Sequence, residues 1–279
     1  MLRGVRTTSV ILALTLVGTA PSLPRPAVAQ PTDTTKVSTE PLFTGRDLWI
    51  ATAFALTTVA LYPADRALAR EIQRDPLQDN HFLTQSADFF NFMGTKGSVY
   101  IGVSMYAVGR VARIERMADL GLHGTEALYL AQTLVKLVKG VAGRARPALD
   151  IDDPRSFKLG RGFGDDDDYR AFPSGHAGMA FAAAAAVTSE TSKWWPASTW
   201  YIAPVMYGGA ALVAVSRMYD NKHWASDVIM GAAIGTFSGL KVVRYHHSHP
   251  NNRIDRWLLS ASVIPDGRGA VLIGVTVRP

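Results

Sequence analysis

Three segments carry the residue types that phosphoryl chemistry needs: Lys139-x6-Arg146-Pro147, Pro173-Ser174-Gly175-His176 and Ser216-Arg217-x5-His223-x3-Asp227. A phosphoryl group in transfer carries negative charge on its equatorial oxygens, so most of its catalysis is positioning and electrostatic stabilisation. Lys139, Arg146 and Arg217 suit that work: a guanidinium grips two oxygens at once and a lysine adds a point charge. Ser174 is a helix-capping residue type and Gly175 admits close backbone approach, so the start of the helix beginning near Ala177 is a ready anion cradle. His176 then stands at the pocket mouth as a general acid. His223 and Asp227, four residues apart, are expected on one helix face, with the carboxylate orienting an imidazole that attacks phosphorus. Taken singly, each fragment has an ordinary reading, such as a dipole-complementing charge at a helix end or a solvated His–Asp pair. Their joint occurrence in this order points to one site.

These residues resemble, without a gap or substitution, the tripartite signature of the type 2 phosphatidic acid phosphatase and vanadium haloperoxidase superfamily. Gly143-Arg144 before Arg146-Pro147, and His223-Trp224-Ala225-Ser226-Asp227-Val228, extend the likeness. It covers about Asp47 to Tyr245. The resemblance implies His223 as nucleophile, Asp227 as its partner and His176 as acid. Lys139, Arg146, Ser174, Gly175 and Arg217 then bind phosphate. It also implies a phosphatase that needs no metal or other cofactor, although vanadate could occupy the phosphate site. The expected reaction is hydrolysis of phosphate monoesters or diphosphates, with phosphatidic acid and isoprenoid diphosphates among the lipid-linked candidates. A vanadium-dependent haloperoxidase and a non-catalytic envelope protein are the alternatives, the first disfavoured by the compact length.

Those segments need a scaffold that brings them to one place. Apolar helical segments are expected at about 48–62, 98–112, 124–139, 177–189, 200–216 and 227–243, which gives an all-α six-helix bundle. The first motif ends the third helix, the second opens the fourth and the third joins the fifth to the sixth, so all three meet at one end. Alternating Val271, Ile273, Val275 and Val277 after Pro265-Asp266-Gly267 predict a small C-terminal β-hairpin. The expected division is a signal peptide at 1–29, a flexible lead-in at 30–46, the helical phosphatase domain at 47–245 and a tail at 246–279.

Arg3, Arg6, the apolar run Val10–Val17 and Ala27-Val28-Ala29 form the export signal. The chain has no cysteine, so packing alone must stabilise it outside the cytoplasm. Its net charge of +6 suits anionic substrates or anionic lipid surfaces, while its six tryptophans and mixed charges form no stripe of the kind that binds nucleic acid. The apolar runs read as nearer 15 residues than the roughly 20 needed to span. A cleaved signal with six crossings would also put the site in the cytoplasm. The expectation is therefore an exported, periplasmic or membrane-associated bundle with a periplasmic site. Phosphorylated lipids or small phosphate esters are the expected partners, with a membrane surface nearby. The acidic run Asp165–Asp168 lacks the spacing of a calcium loop and reads as a solvated loop that gates the entrance or repels highly anionic substrates. His246, His247 and His249, followed by Pro250, read as a helix exit rather than a metal site.

Overall fold

The computed structural model describes residues 41–249 and 252–259. Apart from the backbone of Ala13–Leu14, which pairs with Val271–Leu272, the expected signal peptide and most of the lead-in lie outside the described residues. So does most of the hairpin segment, where only backbone pairing of Ala261–Pro265 with Val271–Val275 is placed. The order of helices is α1 (Gly45–Leu61), α2 (Asp65–Ile72), α3 (Asp75–Gln78), α4 (His81–Phe92), α5 (Ser98–Ala112), α6 (Glu115–Ala142), α7 (Gly175–Trp194), α8 (Thr199–Tyr219), α9 (Ala225–Ser248) and α10 (Arg253–Leu258). The six expected helices correspond to α1, α5, α6, α7, α8 and α9. The stretch between α1 and α5, unassigned from sequence, folds as α2 to α4 and a π turn at Met93–Gly97.

Helix α7 is the axis of the bundle. Its Ala177, Ala182, Ala184, Ala185 and Ala186 are fully buried, and Ala127, Ala131 and Val243 from α6 and α9 close around it. Small residues set the spacing here. A Cβ at Gly235 would lie 2.0 Å from the Gly178 carbonyl, and one at Gly239 would lie 2.5 Å from that of Ala182. Helices α7 and α9 thus meet backbone to backbone, the close approach that small residues permit in lipid-embedded helix pairs.

The helices exceed the sequence expectation, and this corrects the span estimate. Gly45–Ile72 runs 28 residues through α1 and α2, Pro196–Tyr219 runs 24 and Ala225–Ser248 runs 24, each long and apolar enough to cross a membrane. Ala, Gly and Thr, which shorten an apolar run by eye, continue the helix without breaking it. The outer surface is apolar as well. Trp49 and Trp200 are each 77 % exposed, and Leu48, Val59, Val111 and Val205 are exposed as well. Large apolar side chains exposed on helices of spanning length are suited to contact with lipid. The chain is membrane-associated.

Alternation of direction sorts the loops. Helices α1, α6 and α8 end where α7 and α9 begin, so the α1–α2 junction, the α6–α7 loop and the α8–α9 turn share one end. The N-terminus of α1 lies at the other end, where Asp47 pairs with Lys241 and Arg244 of α9.

Candidate active site

Each motif sits at a helix terminus built by its own sequence. Helix α6 stops because Gly143 adopts φ +55°, and its N–H returns to the Lys139 carbonyl at 3.1 Å. Glycine alone enters this turn without strain, and a Cβ there would lie 1.9 Å from the Lys158 carbonyl. Lys139 therefore stays on the last helical turn while Arg146 leaves it, as the spacing predicts. Ser174 caps α7, accepting the Ala177 N–H at 3.5 Å, and its own N–H donates to the Asp227 carbonyl at 2.9 Å. Ser174 and Gly175 are buried, as are Arg146, Arg217, His223 and Asp227.

His223 departs from the expected arrangement. It precedes α9 rather than riding on it, because Asp227 caps that helix by accepting the Trp224 N–H at 2.8 Å. Its Nδ1 lies 2.6 Å from the Ala171 carbonyl but 3.8 Å from the Asp227 Oδ2, beyond hydrogen-bond reach. A carbonyl only accepts, so Nδ1 carries the proton and Nε2 keeps its lone pair. The Ala171 backbone fixes the tautomer; Asp227 contributes charge from close by. Burial, together with Lys139, Arg146 and Arg217, holds the imidazole well below the usual histidine value and keeps it neutral.

Asp227 is itself held by a residue that the sequence reading mentioned only as a neighbour. The Arg144 guanidinium, fully buried, donates to Asp227 Oδ1 at 2.5 Å, to Asp65 Oδ2 at 2.7 Å and to the Ser226 Oγ at 2.8 Å. It donates again to the Pro154 carbonyl at 2.7 and 3.0 Å. Tyr62, Phe157 and Trp224 place ring faces 5.1 to 5.4 Å from its centre. Asp65 in turn accepts the Ser226 N–H at 2.9 Å. This bolt fastens the α1–α2 junction and the α6–α7 loop to the start of α9. Nothing in the spacing of Asp65 signals it, because its partners lie about 80 and 160 residues away.

The three cations expected to bind phosphate are positioned separately. Arg217 donates to Asn91 Oδ1 at 2.7 Å and to Asp220 Oδ2 at 2.8 Å, so α4, which sequence reading missed, sets its direction. Its buried Nε makes no hydrogen bond. Arg146 is held by the Asp167 side chain at 2.7 Å and by the Asp167 carbonyl at 2.8 Å. The acidic run is thus not merely solvated, since one of its carboxylates lies on a site cation. Lys139 is drawn down to about 8 by burial and by Arg146. It lines a cavity of about 570 Å³ together with Gln132, Lys136, Phe163, Asp167 and Arg170. His176 is drawn down to about 3 by burial, then by Arg217, His223, Lys139 and Arg146. The three segments do meet: two neutral imidazoles face three cations at the N-terminus of α7.

Buried cations and two neutral histidines thus gather at one end of a helical bundle, beside the cavity that Lys139 lines. Residues 122–250 match the PAP2 superfamily model, so this stretch of the chain, which holds the whole constellation, is a PAP2-superfamily domain. The fold is similar to that of a transmembrane PAP2-type phosphatidylglycerolphosphate phosphatase from Bacillus subtilis. That likeness has a TM-score of 0.56 and 19 % identity over 75 % of this chain and 99 % of the other. Aquifex aeolicus LpxE superposes with a TM-score of 0.46 and 23 % identity over 65 % of this chain. A lipid A 1-phosphatase of Porphyromonas gingivalis is 41 % identical over 69 residues, which is 25 % of this chain and only 15 % of that relative's length.

Proposed function

We propose that the chain is a phosphatase acting on lipid-linked phosphate monoesters or diphosphates through a phosphohistidine. The observation that carries the reading is the Ala171 clamp on His223, which leaves Nε2 as the lone-pair nitrogen amid Lys139, Arg146 and Arg217. In the first step Nε2 forms the N–P bond as the ester P–O bond breaks, and His176 gives a proton to the departing oxygen. Water then attacks phosphorus, giving its proton to His176, and the N–P bond breaks to release phosphate. Lys139, Arg146 and Arg217 balance the charge on the equatorial oxygens throughout.

In the free enzyme His176 is neutral and is no acid. Arrival of a dianion offsets the cations that depress it, so substrate binding is what loads the proton. A lipid substrate is supported by the apolar flank beside the Lys139 cavity, where Leu137, Val141 and Phe163 are exposed.

The test is phosphate release from p-nitrophenyl phosphate and from phosphatidic acid in detergent with EDTA present. His223→Ala should lose about 10³-fold or more in kcat while keeping its helicity. Phosphate release undiminished in that variant would refute the nucleophile. We further place the site on the periplasmic face, in line with the export-type N-terminus. Because α1 starts at the opposite end, a cleaved export signal agrees with this placement only if α1 lies against the membrane rather than crossing it. In this cysteine-free chain a single Asp165→Cys should react with a membrane-impermeant maleimide in cells whose outer membrane alone is permeable. Labelling only after lysis would put the site inside.

A further inference from the structure

At the end of the bundle opposite the phosphate pocket, α6, α7, α9 and α10 bring together histidines and carboxylates that sequence spacing kept apart. His246, expected to be part of a plain helix exit, is buried on the last turns of α9 and stacks on His123 of α6 with ring centroids 4.0 Å apart. Their nitrogens are not equivalent. His123 Nδ1 lies 2.5 Å from Glu190 Oε1, and His246 Nε2 lies 2.5 Å from Glu126 Oε2. Each imidazole thus gives its N–H to a carboxylate and turns the other nitrogen toward Asp255. That is the arrangement in which a second carboxylate fixes the tautomer of a metal-binding histidine.

Two of the three inward-facing atoms are left open, while His246 Nδ1 has the Asn252 amide nitrogen at 3.3 Å. His123 Nε2 and Asp255 Oδ1 are buried and make no hydrogen bond, and the His123 side chain is only 5 % exposed. They stand 3.6 Å apart, and His246 Nδ1 is 2.7 Å from the same Oδ1. All three ligand atoms lie within 4.8 Å of one another. Asp255 is aimed by Asn252, which caps α10, accepts the Asp255 N–H at 3.0 Å and occupies Oδ2 at 2.6 Å. Oδ1 is thereby the oxygen presented inward. A tetrahedral ion with bonds of about 2.0–2.2 Å spaces its ligands about 3.4 Å apart. Of the two pairs that include Asp255 Oδ1, one already has about that separation, and the other opens by about 0.7 Å on binding.

We propose that His123, His246 and Asp255 bind a divalent transition-metal ion of the zinc type, with water as fourth ligand. Two neutral imidazoles and one carboxylate suit zinc better than magnesium or calcium, which favour all-oxygen shells. The ion ties α10 to the ends of α6 and α9. It lies about 24 Å along α6 from Lys139, taking 1.5 Å per residue, so it has no part in phosphoryl transfer.

The experiment uses the full chain in detergent, stripped with EDTA, dialysed, and reloaded with zinc or with cobalt(II). Elemental analysis should find about one zinc per chain, the cobalt form should show visible absorption of four- or five-coordinate cobalt, and zinc should raise the melting temperature. His123→Gln with Asp255→Asn should lose all three effects and keep both its helicity and its phosphatase rate. His223→Ala, which disables the other end, should keep all three. Folded wild-type protein that retains less than about one-fifth of an equivalent overturns the proposal, as does equal retention by the double variant. Both metal readouts are independent of turnover, so a failure here is distinguishable from a failure of the phosphatase reading.

Discussion

Replacing Arg144 by lysine keeps the charge and removes the fork, and the structure sets how much that should matter. The guanidinium reaches two fully buried carboxylates, Asp65 and Asp227, on different helices, and adds bonds to the Ser226 hydroxyl and the Pro154 carbonyl. A lysine ammonium is a single point with three donors and cannot bridge both carboxylates. One of them is left buried and unpaired, a change that costs about 3–5 kcal/mol. For a chain of this size each kcal/mol moves the melting temperature by about 2–4 °C, so Arg144→Lys should melt roughly 10 °C lower. Catalysis should fall with it, by about tenfold or more in kcat, because Asp227 both caps α9 and holds the Ser174 N–H through its carbonyl. Thermal unfolding in detergent and steady-state phosphate release measure the two effects. A variant within 2 °C of wild type that retains more than half of kcat/KM would show that the Asp65–Arg144–Asp227 bridge fastens nothing.

Substrate affinity should weaken as pH rises through about 8, because Lys139 is drawn down to that value and its positive charge is lost above it; KM against pH reports this, and a flat KM from pH 7 to 9 counts against it. Acid should destabilise the protein below the ordinary histidine value near 6.5, since His176 binds its proton only near 3 and the unfolded chain takes up protons that the native state refuses; inorganic phosphate should blunt the loss in melting-temperature scans. Asp167→Asn removes the carboxylate that lies on Arg146 and should lower KM for phosphate esters a few-fold, whereas an unchanged KM would make that contact incidental to binding. Gly235→Ala places a methyl 2.0 Å from the Gly178 carbonyl and should cost about 1–3 kcal/mol or more, read as a fall in melting temperature; wild-type stability would mean that α7 and α9 are not so tightly apposed.

The residues expected to bind phosphate could be picked out because their types and intervals are dictated by local geometry. Gly143 must end a helix, Ser174 must cap one, and basic residues near those ends face the same way. What holds them was not legible. Asp65 and Asn91 act across the fold on Arg144 and Arg217, and no interval in the sequence encodes such a meeting. The i, i+4 relation of His223 and Asp227 misled for the same reason, since Asp227 is spent capping α9 and the Ala171 backbone takes the imidazole. Helix lengths were underestimated where small residues continue α8 and α9, and α2 to α4 are too short to show an apolar period. His246 and His247 at the end of α9 looked solitary because their acidic partners come from α6, α7 and α10.

The glycine seam between α7 and α9 has a mechanical meaning. Where carbonyls rather than side chains set the distance between two helices, no rotamer can flip and no methyl can slide to absorb a twist. One of the rods carries Ser174 and His176 at its tip, and the other begins with Asp227 just past His223, so those groups keep station relative to one another. Compliance is left to the parts that touch this pair from outside: the loop bearing Arg146 and Asp167, and α4 with Asn91. On this geometry a ligand would enter by displacing the walls of the pocket, while its floor stays still.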